Sequence, residues 1–182
     1  MSKKIVIPAF EIYDERADQF IDFKEQTLTF EHSLVSLSKW ESKWHIPFIK
    51  NSKEITSEQL KSYIKCMTLT QNVDERIYDY LPAKVIKELV EYIEDPMTAT
   101  WFNNNKKQAP NRQIVTAEII YYWMVELGIP FECQKWHLNR LLTLIRVCNE
   151  KQQPQKKMPK AAQMSQQRQL NAMRRARMHT KG

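Results

Sequence analysis

The sequence predicts a mainly α protein, in which a single helical domain carries a small N-terminal β element and a basic, flexible C-terminal tail. Hydrophobic residues make up 42% of the 182 residues, enough for one domain with a proper core. Only two glycines occur, and a shortage of glycine favours helices over turn-rich β folds. Between residues 31 and 150, hydrophobic residues recur at helical spacing in several segments.

The first thirty residues predict the β element. They contain short runs of β-branched and aromatic residues, KIVIP, FEIY, FIDF and TLTFE, which are typical of strands. We expect two or three short strands, with a hairpin about Lys24 to Gln26. Residues 1–30 should therefore pack as a small β element on the helical domain.

The helical domain is predicted over residues 31–150, and three helices precede its central loop. In the first, HSLVSLSKWESKW, the residues at helical spacing are Leu34, Leu37, Trp40, Glu41 and Trp44. The second runs over 56–69 and begins with a capping box of Thr56 and Gln59. The third has Pro82 at its first position and ends at Asp95, before another proline.

Two adjacent helices should form the centre of the domain. The surface loop MTATWFNNNKKQAPNR precedes them. The first, QIVTAEIIYYWMVEL, is apolar on nearly every side and ends before Gly128 and Pro130. The second is predicted from about Phe131 to Asn149.

The basic tail is predicted over residues 151–182. It holds nine of the 28 lysines and arginines and no acidic residue, while residues 1–150 hold the other 19 against all 21 acidic residues. The net charge of +7 therefore belongs to the tail and not to the domain. Its apolar residues are too sparse for a core, but 161–178 is rich in helix formers, which favours a tail that becomes helical on a partner.

Several classes of protein are excluded or disfavoured by composition. So few glycines exclude the P-loop and dinucleotide-binding fingerprints. Three widely spaced cysteines suit a reducing cytoplasm. The N-terminus lacks a signal-peptide pattern, and the longest apolar patch, Ile119 to Val125, is far shorter than the ~20 residues of a membrane span. We expect a soluble, intracellular protein.

Cys133, His137 and Cys148 are the candidate metal or thiol residues. Cys133 and His137 are four residues apart and could share a zinc ion on one helix face. Cys148 would lie about 16 Å beyond His137 along that helix. A helical wheel places all three in the apolar arc. We therefore expect them to be buried structural residues, and we predict no metal ligand, no cofactor site and no catalytic residue.

Arg140 falls inside the same apolar arc, where an unpaired guanidinium would be costly. Glu118 and Glu126 on the preceding helix are the natural carboxylate partners. We predict a structural ion pair, with a partner-binding role as the alternative.

The candidate partner-binding residues lie on the first helix and in the tail. Trp40 and Trp44 share a helix face and could be core or contact residues, with core favoured. The tail arginines could bind phosphate or an acidic or helical protein, or could simply be solvated, but the tail has no aromatic residue to stack on bases. These arginines are Arg168, Arg174, Arg175 and Arg177.

Three segments resemble the tail assembly chaperones of long-tailed, flexible-tailed (siphovirus-type) bacteriophages. The resemblance covers roughly 27–149 and is a likeness of whole segments, not of a chemical motif. The segments are EHSLVSLSKWESKW (Glu31 to Trp44), DPMTATWF (Asp95 to Phe102) and TAEIIYYWMVELGIPFECQKWHLNRLLTLIRVCN (Thr116 to Asn149).

The resemblance implies a non-catalytic protein of the host bacterial cytoplasm. Such chaperones coat the tape measure protein, help recruit tail tube protein for polymerisation, and often exist also in a frameshift-extended form with which the short form can associate. Nucleic acid is not an expected partner, while homo-oligomers, a frameshift-extended form and presence in the virion stay open. The alternatives are a structural virion connector protein and a small nucleic-acid-binding regulator that uses the basic tail.

Overall fold

The computed structural model describes residues 2–14, 18–51, 55–102, 114–152 and 160–178. Its contacts divide the chain into two units, Met1–Asn149 and Glu150–Gly182. Of the predicted surface loop, residues 103–112 lie outside the described part of the chain.

Four strands of five residues each occupy most of the first thirty residues. They are β1 (Lys3–Ile7), β2 (Phe10–Asp14), β3 (Gln19–Phe23) and β4 (Gln26–Phe30). β1 pairs with β4 and β2 pairs with β3, in two antiparallel sheets. The hairpin predicted about Lys24 to Gln26 is therefore wrong, because β3 and β4 lie in different sheets. Pairing β1 with β4 instead buries one face of both strands.

The predicted fold class is also wrong, since the chain is mixed α/β and not a mainly α single domain. The strands contribute fully buried core residues, among them Ile7, Leu28 and Phe30. The argument that few glycines disfavour β structure failed because residues other than glycine adopt the left-handed backbone conformation in turns. Asp18, for example, adopts φ 52° in the turn between β2 and β3.

Helices α1 to α3 follow the strands. α1 (Leu34–Trp44) begins at the cap residue Ser33, and α2 (Phe48–Asn51) is a single turn. α3 (Ser57–Met67) begins with the predicted capping box of Thr56 and Gln59, which is confirmed. The Glu31 N–H donates to the Met67 carbonyl at 2.8 Å, so the end of α3 is attached to the end of β4.

Helices α4 and α5 and most of α6 complete the first unit. A 3₁₀ helix (Glu75–Asp79) leads to α4 (Ala83–Glu94), which starts one residue after Pro82. α5 (Ala117–Glu126) starts four residues later than predicted and ends before Gly128, whose φ is 63°. α6 spans Leu138–Gln152.

The helix predicted from Phe131 to Asn149 is broken, which corrects the helical wheel drawn for it. Phe131–Lys135 forms a 3₁₀ helix, and Trp136 is extended, with φ −71° and ψ 161°. The break lets the Leu138 N–H donate to the His32 carbonyl at 2.9 Å. Cys133 and His137 are buried, as predicted, but because of the break they do not share an α-helix face. Cys148 was also predicted to be buried and is half-buried.

The second unit contains α7 (Lys160–Met178). The span 161–178, rich in helix formers, is therefore helical, while its folding on a partner stays a prediction. Every side chain described on α7, from Met164 to Met178, is exposed to solvent. No described helix, here or in the first unit, combines the length and the apolar character that crossing a membrane requires.

Candidate functional site

An apolar groove of about 410 Å³, partly open to solvent, lies in the first unit. Eight of its eleven lining residues are aliphatic or aromatic. The remaining three are His32, Glu94 and Asn139. The apolar lining residues are Phe48, Ile49, Ile55, Leu60, Val90, Ile93, Leu138 and Leu142. We refer to this feature as the apolar groove.

The walls of the apolar groove follow from helical spacing. Val90 and Ile93 are three residues apart on α4, and Leu138 and Leu142 are four apart on α6, so each pair occupies one face of its helix. Leu89 and Leu141, one position away, are fully buried, and Leu138 itself belongs to the core. Val90, Ile93 and Leu142 are only half-buried, so these apolar side chains extend beyond the core and form the groove walls.

Polar groups at the groove have different surroundings. The Asn139 side-chain amide donates to the carbonyls of Ile93 and Asp95, both at 2.9 Å, and so caps the end of α4. Glu94 is exposed at the rim and forms no ion pair with any residue that the structure describes. The groove thus has one uncompensated carboxylate at its edge.

His32 connects the groove to a buried cluster of two histidines and two tyrosines. Its Nδ1 lies 2.5 Å from the Tyr63 hydroxyl, and its ring meets that of His137 edge-on at 4.8 Å between centroids. His137 Nε2 lies 2.9 Å from the Tyr92 carbonyl. His137 Nδ1 is buried without a hydrogen-bond partner among the described atoms.

The pKa values in the cluster keep both imidazoles neutral. Burial, with a smaller contribution from the charge of His137, lowers the pKa of His32 to about 3. Burial likewise lowers the pKa of His137 and raises the pKa of the Tyr63 hydroxyl. Tyr63 therefore remains protonated and shares a hydrogen bond with the neutral His32 ring.

Two of the three thiols, those of Cys66 and Cys133, have raised pKa values that disfavour the thiolate. Burial, followed by the nearby Glu132 carboxylate, raises the pKa of Cys133. Burial also raises the pKa of Cys66. Among the described residues no group of three or more histidines, cysteines and carboxylates is arranged to hold a metal ion.

Glu41 is a carboxylate within the apolar stripe of α1, and its structural role was not predicted from the sequence. The side chain is buried, and its oxygens accept from the N–H groups of Phe48 at 2.9 Å and Ala117 at 2.7 Å. Burial raises the pKa of Glu41, while the two N–H donors act against that shift. Glu41 thus joins the first turns of α2 and α5 to α1.

We expect Glu41→Gln to lower the free energy of unfolding by about 1–3 kcal/mol. The amide has one acceptor oxygen, so its NH₂ group must face one of the two N–H donors. Urea denaturation of the variant measures this loss. Glu25→Gln, at an exposed position between β3 and β4, is the matched control and should change stability by less than about 0.5 kcal/mol. Equal stability of the two variants would contradict the role of Glu41.

The two tryptophans of α1 differ in their surroundings. Trp40 is fully buried, and its indole N–H donates to the Gln59 carbonyl at 2.9 Å. Trp44 is half-buried and donates to the Ser62 hydroxyl at 3.0 Å. Trp40 is therefore a core residue with no surface to offer a partner, whereas part of Trp44 stays accessible.

The predicted ion-pair residues and the tail arginines are not part of the groove lining. The Arg140 guanidinium lies 4.4 Å from the centroid of the Trp136 ring, a cation–π contact. Glu118 and Glu126 are exposed on α5, and neither forms an ion pair with Arg140 or with any other described residue, contrary to the prediction. The four arginines named in the tail, Arg168, Arg174, Arg175 and Arg177, are all exposed on α7.

These features suit non-covalent binding of an apolar surface. The apolar groove supplies burial, its rim supplies one carboxylate, and the neutral imidazole of His32 is part of its lining. Comparison with protein-family models, curated proteins and solved structures finds no match for this chain.

Proposed function

We propose that the protein is a non-catalytic tail assembly chaperone of a siphovirus-type bacteriophage. In this role it binds the tape measure protein in the host bacterial cytoplasm and assists polymerisation of the tail tube. The observation that carries the proposal is the apolar groove, which can bury hydrophobic side chains of a partner helix. The resemblance of residues 31–44, 95–102 and 116–149 to this family supplies the identity of the partner.

The volume of the apolar groove, about 410 Å³, can hold a few side chains of a helix but not the whole helix. Two or three side chains spaced at i, i+3 or i+4 and i+7 would enter between α4 and α6, with the rest of the helix outside. A long apolar helical partner would then need several copies of the chaperone along its length. This fits the proposed task of coating the tape measure protein.

Co-expression with the tape measure protein of the same phage tests the proposal. We expect the wild-type chain to keep the tape measure protein soluble and to co-purify with it. Val90→Gln and Leu142→Gln, which add a polar group to the groove walls, should reduce the recovered complex by about tenfold or more. Leu69→Gln, at an exposed apolar residue away from the groove lining, is the control and should recover as much complex as wild type.

Thermal unfolding of each variant shows whether it is folded, since both groove positions are only half-buried. Unchanged recovery with the folded groove variants would reject the groove as the binding site. A tape measure protein that is equally soluble without the chain would reject the chaperone proposal itself. Detection of the chain in purified virions would favour the connector protein instead.

A second candidate, the nucleic-acid-binding regulator, rests on the exposed arginines of α7. Its discriminating property is salt-dependent binding to DNA or RNA. Deleting residues 151–182 should abolish such binding if the tail is responsible. If the protein is a chaperone with a solvated tail, the full and shortened chains should bind DNA and RNA equally weakly.

A further inference from the structure

A second surface of the first unit is apolar and acidic at once. Three large hydrophobic side chains on α5 and the following 3₁₀ helix are exposed, at 62%, 63% and 54% of their area. Three exposed carboxylates accompany them in the sequence of the same two elements. The α5 face, as we name it, consists of Tyr122, Val125, Phe131, Glu118, Glu126 and Glu132.

Helical geometry and one set of contacts hold the α5 face together. Glu118, Tyr122 and Val125 stand at i, i+4 and i+7, on one side of α5. The neighbouring Tyr121 ring lies 6.5 Å from the Phe131 ring and its hydroxyl donates to Gln134 at 2.9 Å. These contacts pack the 3₁₀ helix against α5 at Tyr121, which is four residues before Val125 and therefore next to it on the helix surface.

The carboxylates of the α5 face are not neutralised within the described part of the chain. Glu118, Glu126 and Glu132 are exposed, and none forms an ion pair with a described residue. The two elements hold these three carboxylates against one basic residue, Lys135, and one further cation, Arg140, lies close by against the Trp136 ring. The sign of this local charge is opposite to the net charge of +7 of the whole chain.

We propose that the α5 face docks a cationic amphipathic helix of a partner protein. Leucine or methionine side chains of that helix would cover Tyr122, Val125 and Phe131, and its lysines or arginines would meet the three carboxylates. Charge complementarity selects this occupant, because an acidic helix would be repelled at short range. The proposal concerns a surface other than the apolar groove and does not depend on the function proposed above.

A pair of designed amphipathic peptides tests the proposal. Both place leucine on one face, and the polar face carries lysine in one peptide and glutamate in the other. Fluorescence anisotropy with the full chain should show binding of the lysine peptide that weakens as salt is added. Since the chain as a whole is positive, non-specific attraction would favour the glutamate peptide, so binding of the lysine peptide reports the local surface.

Variants locate the bound peptide. Tyr122→Gln and Val125→Gln should each weaken lysine-peptide binding by about tenfold, and Glu118→Gln combined with Glu126→Gln should remove most of its salt dependence. Leu69→Gln, exposed at 51%, is the matched control and should bind as wild type. These substitutions are at exposed positions, so folding should be retained, as circular dichroism would verify.

Three outcomes would overturn the proposal. The first is failure of the lysine peptide to bind, and the second is equal binding of that peptide to wild type and to Tyr122→Gln. Alternatively, sedimentation could show a dimer of the wild-type chain that Tyr122→Gln dissociates, in which case a second copy of the chain, and not a cationic helix, covers the α5 face.

Discussion

Replacing Trp40 with alanine should lower the free energy of unfolding by about 4 kcal/mol. Trp40 has no exposed surface, and its ring meets those of Phe48 and Tyr63 edge-on at 5.2 and 6.3 Å between centroids. The substitution leaves a cavity among aromatic side chains. It also leaves the Gln59 carbonyl without the indole donor. Urea denaturation, fitted as a two-state transition, measures the loss.

Two further variants separate the components of this effect. Trp40→Phe keeps a ring in the core but removes the indole N–H, so we expect a smaller loss than for alanine. Trp101→Ala is the control, because Trp101 is 80% exposed and should contribute less than about 0.5 kcal/mol. If Trp40→Ala were no more destabilising than Trp101→Ala, the conclusion that Trp40 packs in the core of the first unit would be contradicted.

Acid should destabilise the fold through the two buried histidines. The folded-state pKa values of His32 and His137 lie below the ordinary value, so the unfolded chain binds more protons once the pH falls below about 6.5. Their stabilising contribution is complete above that pH. It is lost as the pH falls toward the folded-state value of about 3 for His32. Each histidine should contribute up to about 1.4 kcal/mol per pH unit to the slope.

Other titrating groups around the cluster modify this slope. The contribution of Glu41 to the slope has the opposite sign. Because its pKa is raised, the folded chain takes up this proton at a higher pH than the unfolded chain does, which favours the folded state as the pH falls. Among the charges that act on the cluster, Asp95 raises the pKa of His137, though less than burial lowers it. The tyrosines do not titrate in this range, since burial raises the pKa values of both Tyr63 and Tyr92.

The free energy of unfolding, measured between about pH 7 and pH 5, tests the assignment. His137→Gln should lower stability at neutral pH, because the contact with the Tyr92 carbonyl is disturbed, and should flatten the dependence on pH. His45→Asn is the control. His45 is exposed and has φ 57°, a conformation that asparagine tolerates, so the variant should fold normally. It leaves the buried histidine cluster intact, so the acid sensitivity that the cluster causes should remain. A wild-type slope in His137→Gln would mean that other groups cause the acid sensitivity.

Part of the candidate site could be predicted from sequence, and part could not. The burial of Cys133 and His137 was expected from the apolar residues around them, although the helix drawn through both of them breaks at Trp136. The apolar groove was not predicted, because hydrophobic periodicity identifies an apolar helix face without telling whether the core covers all of it. Glu41 carried a signal, a carboxylate within an apolar stripe, but its partner at Ala117 is 76 residues away.

By itself the sequence determined the local features of this protein. The capping box of Thr56 and Gln59, the helices around Trp40 and over 161–178, and the concentration of positive charge after residue 150 all depend on neighbours a few residues apart. Such interactions are largely the same in any fold that contains the segment, which is why spacing and composition reveal them.

Only the tertiary structure decided which distant segments meet. It paired β1 with β4, 23 residues apart between Ile5 and Leu28, and so made the fold mixed α/β. It also broke the last predicted helix, where an extended Trp136 allows the Leu138 N–H to reach His32 and the two imidazoles to touch. These choices depend on which surfaces together bury the most apolar area with every buried N–H and C=O paired, a property of the whole chain and not of any window within it.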